Sequence, residues 1–176
     1  MEYNGTMVEP SGGVDLKEEI AKLKEAGVRI HPDVWDVMYL YLADYLSVIN
    51  LCCASYLTRH EPISVKDGQK LQVYHQKSAD IIHLILFPEK ISLEDHQLMK
   101  IQAHAKSMGS GLRNLISHFV NNSLHLMGFI LDDALDPAAP GPVNLEYTKK
   151  IYQMTSDIIV VLEEIRRELQ EKDVGF

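Results

Sequence analysis

The sequence predicts an all-α protein, a helical bundle built on one long antiparallel helical hairpin. Two observations predict this fold class. No stretch alternates apolar and polar residues with a period of two over a strand's length, whereas 93–134 and 145–171 place apolar residues every three or four positions. The periodic segments are also bounded by capping residues, glycine or proline, which are helix start and stop signals. A chain of 176 residues with 46% hydrophobic and 24% charged residues is long enough to bury one core without staples. Residues 1–14 are expected to form a flexible tail, and 15–176 a single helical domain.

Within that domain, Leu16 to Ala26 is short, charged and amphipathic, with Leu16, Ile20 and Leu23 on one face and Gly27 as its stop. His31-Pro32-Asp33 opens the next helix, because proline suits the first helical position and an acid there complements the dipole. It runs to about Arg59 and is broken by Glu61-Pro62. Ser64 with Asp67 forms an Asp version of the capping box, starting a helix that carries Leu71, Tyr74, Ile81, Ile82, Ile85 and Leu86 up to Phe87-Pro88. Residues 32–87 are thus a first hairpin. Ser92 with Asp95 repeats the start signal ahead of a long helix over 93–134. Its seam reads Leu98, Ile101, Ala105, Met108, Leu112, Leu115, Phe119, Asn122, Leu126 and Phe129, with Gly109 and Gly111 as weak points for a kink or break. Asp136 to Pro142 holds three prolines and a glycine and must be a loop. Asn144 caps the last helix, whose seam includes Ile151, Met154, Ile158, Val161, Leu162 and Ile165. The hairpin 93–171 is the scaffold, expected to become a four-helix bundle with 32–87 or with a second copy of the chain.

Charge and composition exclude several functions. A net charge of −8 with no basic cluster argues against nucleic acid or an anionic membrane surface as partner. Val34 to Leu57 is apolar, yet Asp36, Asp44 and Asn50 interrupt it, so a packed core helix is expected rather than membrane insertion. The start of the chain lacks a basic-then-apolar leader pattern. Cys52 and Cys53 are adjacent on a helix, pointing about 100° apart, which suits two reduced thiols of a cytoplasmic protein. Tyr39, Tyr41 and Tyr45 could line a small-molecule pocket but are read first as core packing.

Eight histidines invite sorting by position. His104, His118 and His125 share one register on the long helix, flanking its seam. Seven residues along a helix is about 10 Å, too far for two rings on one ion. No two histidines lie three or four apart and no Glu-x-x-His pair occurs, so neither metal nor cofactor is expected.

The residues around His118 are more specific. His118-Phe119-Val120-Asn121-Asn122-Ser123-Leu124 reads His-x-x-Asn-Asn-x-Leu, mid-helix, followed by a loop and an apolar helix. This resembles the dimerisation and histidine-phosphotransfer hairpin of sensor histidine kinases, over roughly residues 95–171, and the related stand-alone histidine phosphotransferases. The resemblance implies a phosphorelay protein with His118 as phospho-acceptor, Asn122 positioning a water for dephosphorylation, and Asn121 helping to orient the ring. It further implies a homodimer and a response-regulator receiver domain as partner. Phe119 stands where the family carries an acid that acts as base, and no ATP-binding motif follows, so a self-contained kinase is not expected. The alternative expectation is a non-catalytic helical interaction or ligand-sensing bundle, in which His118 and Asn122 only pack and set register.

Overall fold

A computed structural model describes residues 15–90, 96–136 and 141–170, without the side chains of 96–98. The leading tail, the Ser92–Asp95 start signal, residues 137–140 of the proline loop and the tail after 170 lie outside the described residues. Helix starts are made by the residues that signal them. Asp15 accepts the Lys17 N–H at 2.9 Å to open α1 (Leu16–Glu25), and Gly27 leaves it at φ 77°. His31 caps α2 (Pro32–Arg59) through Nδ1, which accepts the Asp33 N–H at 3.1 Å. Ser64 caps α3 (Val65–Leu86) by accepting the Asp67 N–H at 3.2 Å, while the Asp67 carboxylate accepts from the Tyr56 hydroxyl instead of closing a reciprocal box. Asn144 accepts the Tyr147 N–H at 3.0 Å to open α6 (Leu145–Leu169).

The single helix expected over 93–134 is divided. α4 (His96–Lys106) ends where Ser107, Met108 and Gly109 turn the chain, and Ser110–Ile116, Ser117–Asn121 and Asn122–Ala134 run on as α5. The Arg113 side chain holds the break: it donates to the carbonyls of Ala105 at 2.7 Å, Met108 at 3.2 Å and Leu86 at 2.7 Å. Carbonyls left without helical partners at the end of α4 are satisfied this way. α4 therefore folds back against α2 and α3 instead of lengthening the hairpin.

The four long helices close a ring, α2 on α3, α3 on α5, α5 on α6 and α6 on α2. Leu42, Leu46 and Ile49 from α2 meet Ile82 and Ile85 from α3, Val120, Leu124 and Met127 from α5, and Ile151, Ile158 and Leu162 from α6, all buried. A fully buried Leu or Ile contributes about 1.5–3 kcal/mol, so this shared core sets the helix order. The four-helix bundle is completed within the chain, by the 32–87 hairpin. At one end, Ile63 and Val143 exchange backbone hydrogen bonds of 2.8 and 2.9 Å, joining the two hairpin loops. At the other, the Ile30 N–H donates to the Leu169 carbonyl at 2.8 Å.

Asn50, one of the residues that interrupts the apolar 34–57 run, faces α6. Its amide donates to Thr155 Oγ1 at 2.9 Å, Ser156 Oγ at 2.8 Å and the Tyr152 carbonyl at 3.2 Å. α1 lies across α5 and α6, burying Leu16 and Ile20, and Lys24 pairs with Glu168 at 2.7 Å. The hydrogen bond and charge of Lys24 hold the Glu168 carboxyl below the usual carboxylate range.

Candidate functional site

One irregular turn decides which side chains α5 shows to solvent. Leu112, Leu115 and Phe119 are buried as the seam requires, but Asn122 is exposed, and Leu126 and Phe129 are 50% and 57% exposed. Beyond Phe119 the buried row is Val120, Ser123, Leu124, Met127 and Leu131. The turn Ser117–Asn121 is a π turn. Its i→i+5 bonding accommodates one extra residue, which rotates everything after it by roughly 100° about the helix axis. Phe119 and Val120 both turn inward, and the sequence's heptad is lost at that point. Asn122 is consequently no polar seam residue setting register.

His118 sits inside this π turn and is half-buried. With Asn122, one turn further on, it lines a groove of about 460 Å³ between α1 and α5. Glu19 and Leu23 of α1 form one wall, and Gly111, Asn114, Leu115, Ser117 and Phe119 complete the other with them. Leu23 reaches close over the backbone here: a Cβ on Gly111 would lie 2.8 Å from its Cδ2. The His118 ring meets Phe119 edge-on, with centroids 4.9 Å apart. Its Nε2 is buried and has no hydrogen-bond partner among the described residues. Such an atom forfeits a hydrogen bond to water and gains none in return. Glu19 is the one charged side chain among the described lining residues, and its carboxylate is paired with Lys22 at 3.3 Å.

Two of the three residues singled out in the sequence are thus brought to one groove, and Asn121, half-buried beside them, is not among its lining residues. The register shared by His104, His118 and His125 does not survive folding, because the break after Lys106 puts His104 on another helix. His104 stacks on His31, and His125 is exposed on the outside of α5, edge-on to Phe129. His75 has a packing role that sequence patterning misses: its Nε2 lies 2.6 Å from the Leu124 carbonyl and its ring against Gly128. Tyr39, half-buried, packs against the core and stacks on Trp35, whereas Tyr41 is exposed and Tyr45 half-buried, so the expected core packing holds for Tyr39 but not for Tyr41. Cys52 and Cys53 are free thiols. Burial, with the neighbouring Cys52 thiol adding to it, pushes Cys53 up to about 12, so it is no nucleophile near neutral pH.

Compared with known proteins, the chain matches no family model, no curated protein and no solved structure. The likeness to histidine-kinase hairpins therefore rests on the residues around His118 alone.

Proposed function

We propose that this chain is a non-catalytic, small-molecule-sensing helical bundle whose binding site is the groove between α1 and α5. The observation that carries the proposal is the His118 Nε2, buried beside the groove without a partner. A ligand group that reaches Nε2 from the groove supplies the missing hydrogen bond. The lining selects its chemistry: Leu23, Leu115 and Phe119 offer an apolar wall, while Asn114, Ser117, Asn122 and the Lys22-paired Glu19 offer polar contacts. A compact amphipathic molecule bearing an amine or amide fits that description. Because α1 forms a wall, binding tightens or loosens α1 on α6 and so carries a signal to the bundle surface.

A second reading, histidine phosphotransfer, is favoured by Asn122 lining the same groove one turn beyond His118. There a ring nitrogen of neutral His118 attacks the phosphorus of a receiver's aspartyl phosphate. The N–P bond forms as the acyl P–O bond breaks, the aspartate carboxylate leaves, and the ring loses its other proton to solvent. That chemistry needs the ring to enter the receiver's pocket, a larger uncovering than a small ligand requires, which is why we place it second. Either reading takes the protein to be cytoplasmic. Pro32–Arg59 is long and apolar enough to cross a membrane, but the three hydrogen bonds of Asn50 to α6 support a packed helix in water. A homodimer belongs to the proposal only through outer surfaces, such as the exposed Leu40, Val48 and Leu51 on α2.

One pair of measurements separates the readings. Wild type and His118→Gln are treated with phosphoramidate and weighed intact under non-acidic conditions, and the imidazole ¹⁵N signals are followed while amphipathic amines and amides are added. Sensing predicts no phosphoryl group and a ligand-dependent shift of the His118 signal with a raised melting temperature, both absent in His118→Gln. One phosphoryl group on wild type alone makes phosphotransfer the function and defeats the sensing proposal. Neither labelling nor any ligand-dependent shift defeats both.

A further inference from the structure

We propose that His31, Asp33 and His104 form a binding site for one divalent transition-metal ion of the zinc class. The site lies away from the groove, where the N-terminus of α2 meets the last turn of α4, and does not depend on the sensing reading. The break at 107–109 creates it by folding α4 back onto α2.

The geometry is that of a cluster close to closing on an ion. His104 Nε2 lies 3.3 Å from Asp33 Oδ2, and His31 Nδ1 lies 3.9 Å from the same oxygen. One ligand atom from each residue lies within 4.8 Å of the other two. With metal–ligand bonds of about 2.0–2.2 Å, neighbouring ligands of a tetrahedral ion sit roughly 3.3–3.5 Å apart. The His104–Asp33 edge already has that spacing, and the others reach it once side-chain rotations take the His31 and His104 rings out of their stack, which holds the two lone pairs in parallel planes. Those rotations are free to occur, because the His31, Asp33 and His104 side chains are 41%, 45% and 35% exposed.

Electrostatics points the same way. The two imidazole rings stack with centroids 3.5 Å apart and planes 13° from parallel. Imidazole ligates a metal through a neutral ring nitrogen, so binding here competes with protons. His104 stands in the last turn of α4, whose C-terminal dipole favours a cation, and Asp33 offsets the opposite dipole at the start of α2. His31 already presents a lone pair at Nδ1, which accepts the Asp33 N–H, so ligation exchanges that cap bond for a bond to the metal. Two imidazole nitrogens and one carboxylate oxygen suit zinc or its neighbours rather than calcium or magnesium, and leave a fourth position for water. Bound there, the ion clasps α4 to α2.

The test uses untagged, metal-free full-length protein titrated with Zn²⁺ alone by calorimetry and with Co²⁺ by visible absorption. The proposal expects one equivalent of Zn²⁺, and a Co²⁺ d–d spectrum that Zn²⁺ abolishes. His104→Gln and Asp33→Asn should each weaken binding by more than about tenfold, since losing a hydrogen-bond partner of a ligand already costs about 10–100-fold. His125→Gln should bind as wild type does. Circular dichroism melts without metal establish that each variant is folded. No stoichiometric binding by wild type overturns the site, as does equal affinity in wild type and folded His104→Gln.

Discussion

Replacing His118 by phenylalanine should make the protein more stable, an outcome opposite to that of most core substitutions. The His118 Nε2 is buried with no partner among the described residues, and such an atom costs about 1–3 kcal/mol relative to its hydration in the unfolded chain. Phenylalanine removes that cost. It also keeps the ring that meets Phe119 edge-on at 4.9 Å, so the aromatic contact of about 0.5–1.5 kcal/mol is retained. The His118 residue borders the groove of about 460 Å³. Because that groove is open to water on one side, the lower part of the range applies, and the expected gain is about 1–2 kcal/mol. For a domain of this length, each kcal/mol moves the melting temperature by about 2–4 °C. Urea unfolding of both proteins is the assay, with a higher midpoint at an unchanged slope as the expected result. Stability given up at a residue that contacts a ligand is the signature of a functional site. An equal or lower midpoint for His118→Phe would show that Nε2 is already satisfied, and the sensing proposal would lose the observation it stands on.

Two further predictions concern packing and ionisation. Gly128→Ala puts a Cβ 2.7 Å from His75 Cε1 and pushes the ring off the Leu124 carbonyl, so it should lower stability by about 1–3 kcal/mol; a neutral result would mean that α3 and α5 are not packed this closely. Burial raises Cys53 from 9.0 to about 12 in the folded state. Its sign follows from linkage: between those values the unfolded thiol ionises and the folded one does not, so stability present below pH 9 is lost as pH rises toward 12, by up to about 1.4 kcal/mol per pH unit. Urea midpoints at pH 8 and pH 10 should therefore fall further for wild type than for Cys53→Ala, and parallel falls would contradict the buried thiol.

The sequence alone determined what depends on neighbours along the chain. Apolar spacing of three and four, the caps at Ser64 and Asn144, Pro32 in the first turn of α2 and the stop at Gly27 act within a turn or two, so the helices are legible without the fold. The buried seam of α6, from Ile151 through Met154, Ile158 and Val161 to Ile165, was legible for the same reason. The two glycines near 110 marked the break after α4, but not the direction the chain takes there. That direction is decided by Arg113 reaching carbonyls on both sides of the turn, and it brings His104 to His31 and Asp33, a meeting that no local spacing encodes. The register of α5 after Phe119 also escaped the sequence. A π turn is disfavoured locally and persists here with Phe119 and Val120 both buried among partners distant in the chain. His118 and Asn122 were found in the sequence, but only tertiary structure decided that they share a groove, and that α1 walls its other side with Glu19 and Leu23. A heptad reading assumes one helix geometry throughout, whereas the packed bundle selects whichever backbone buries the most apolar surface.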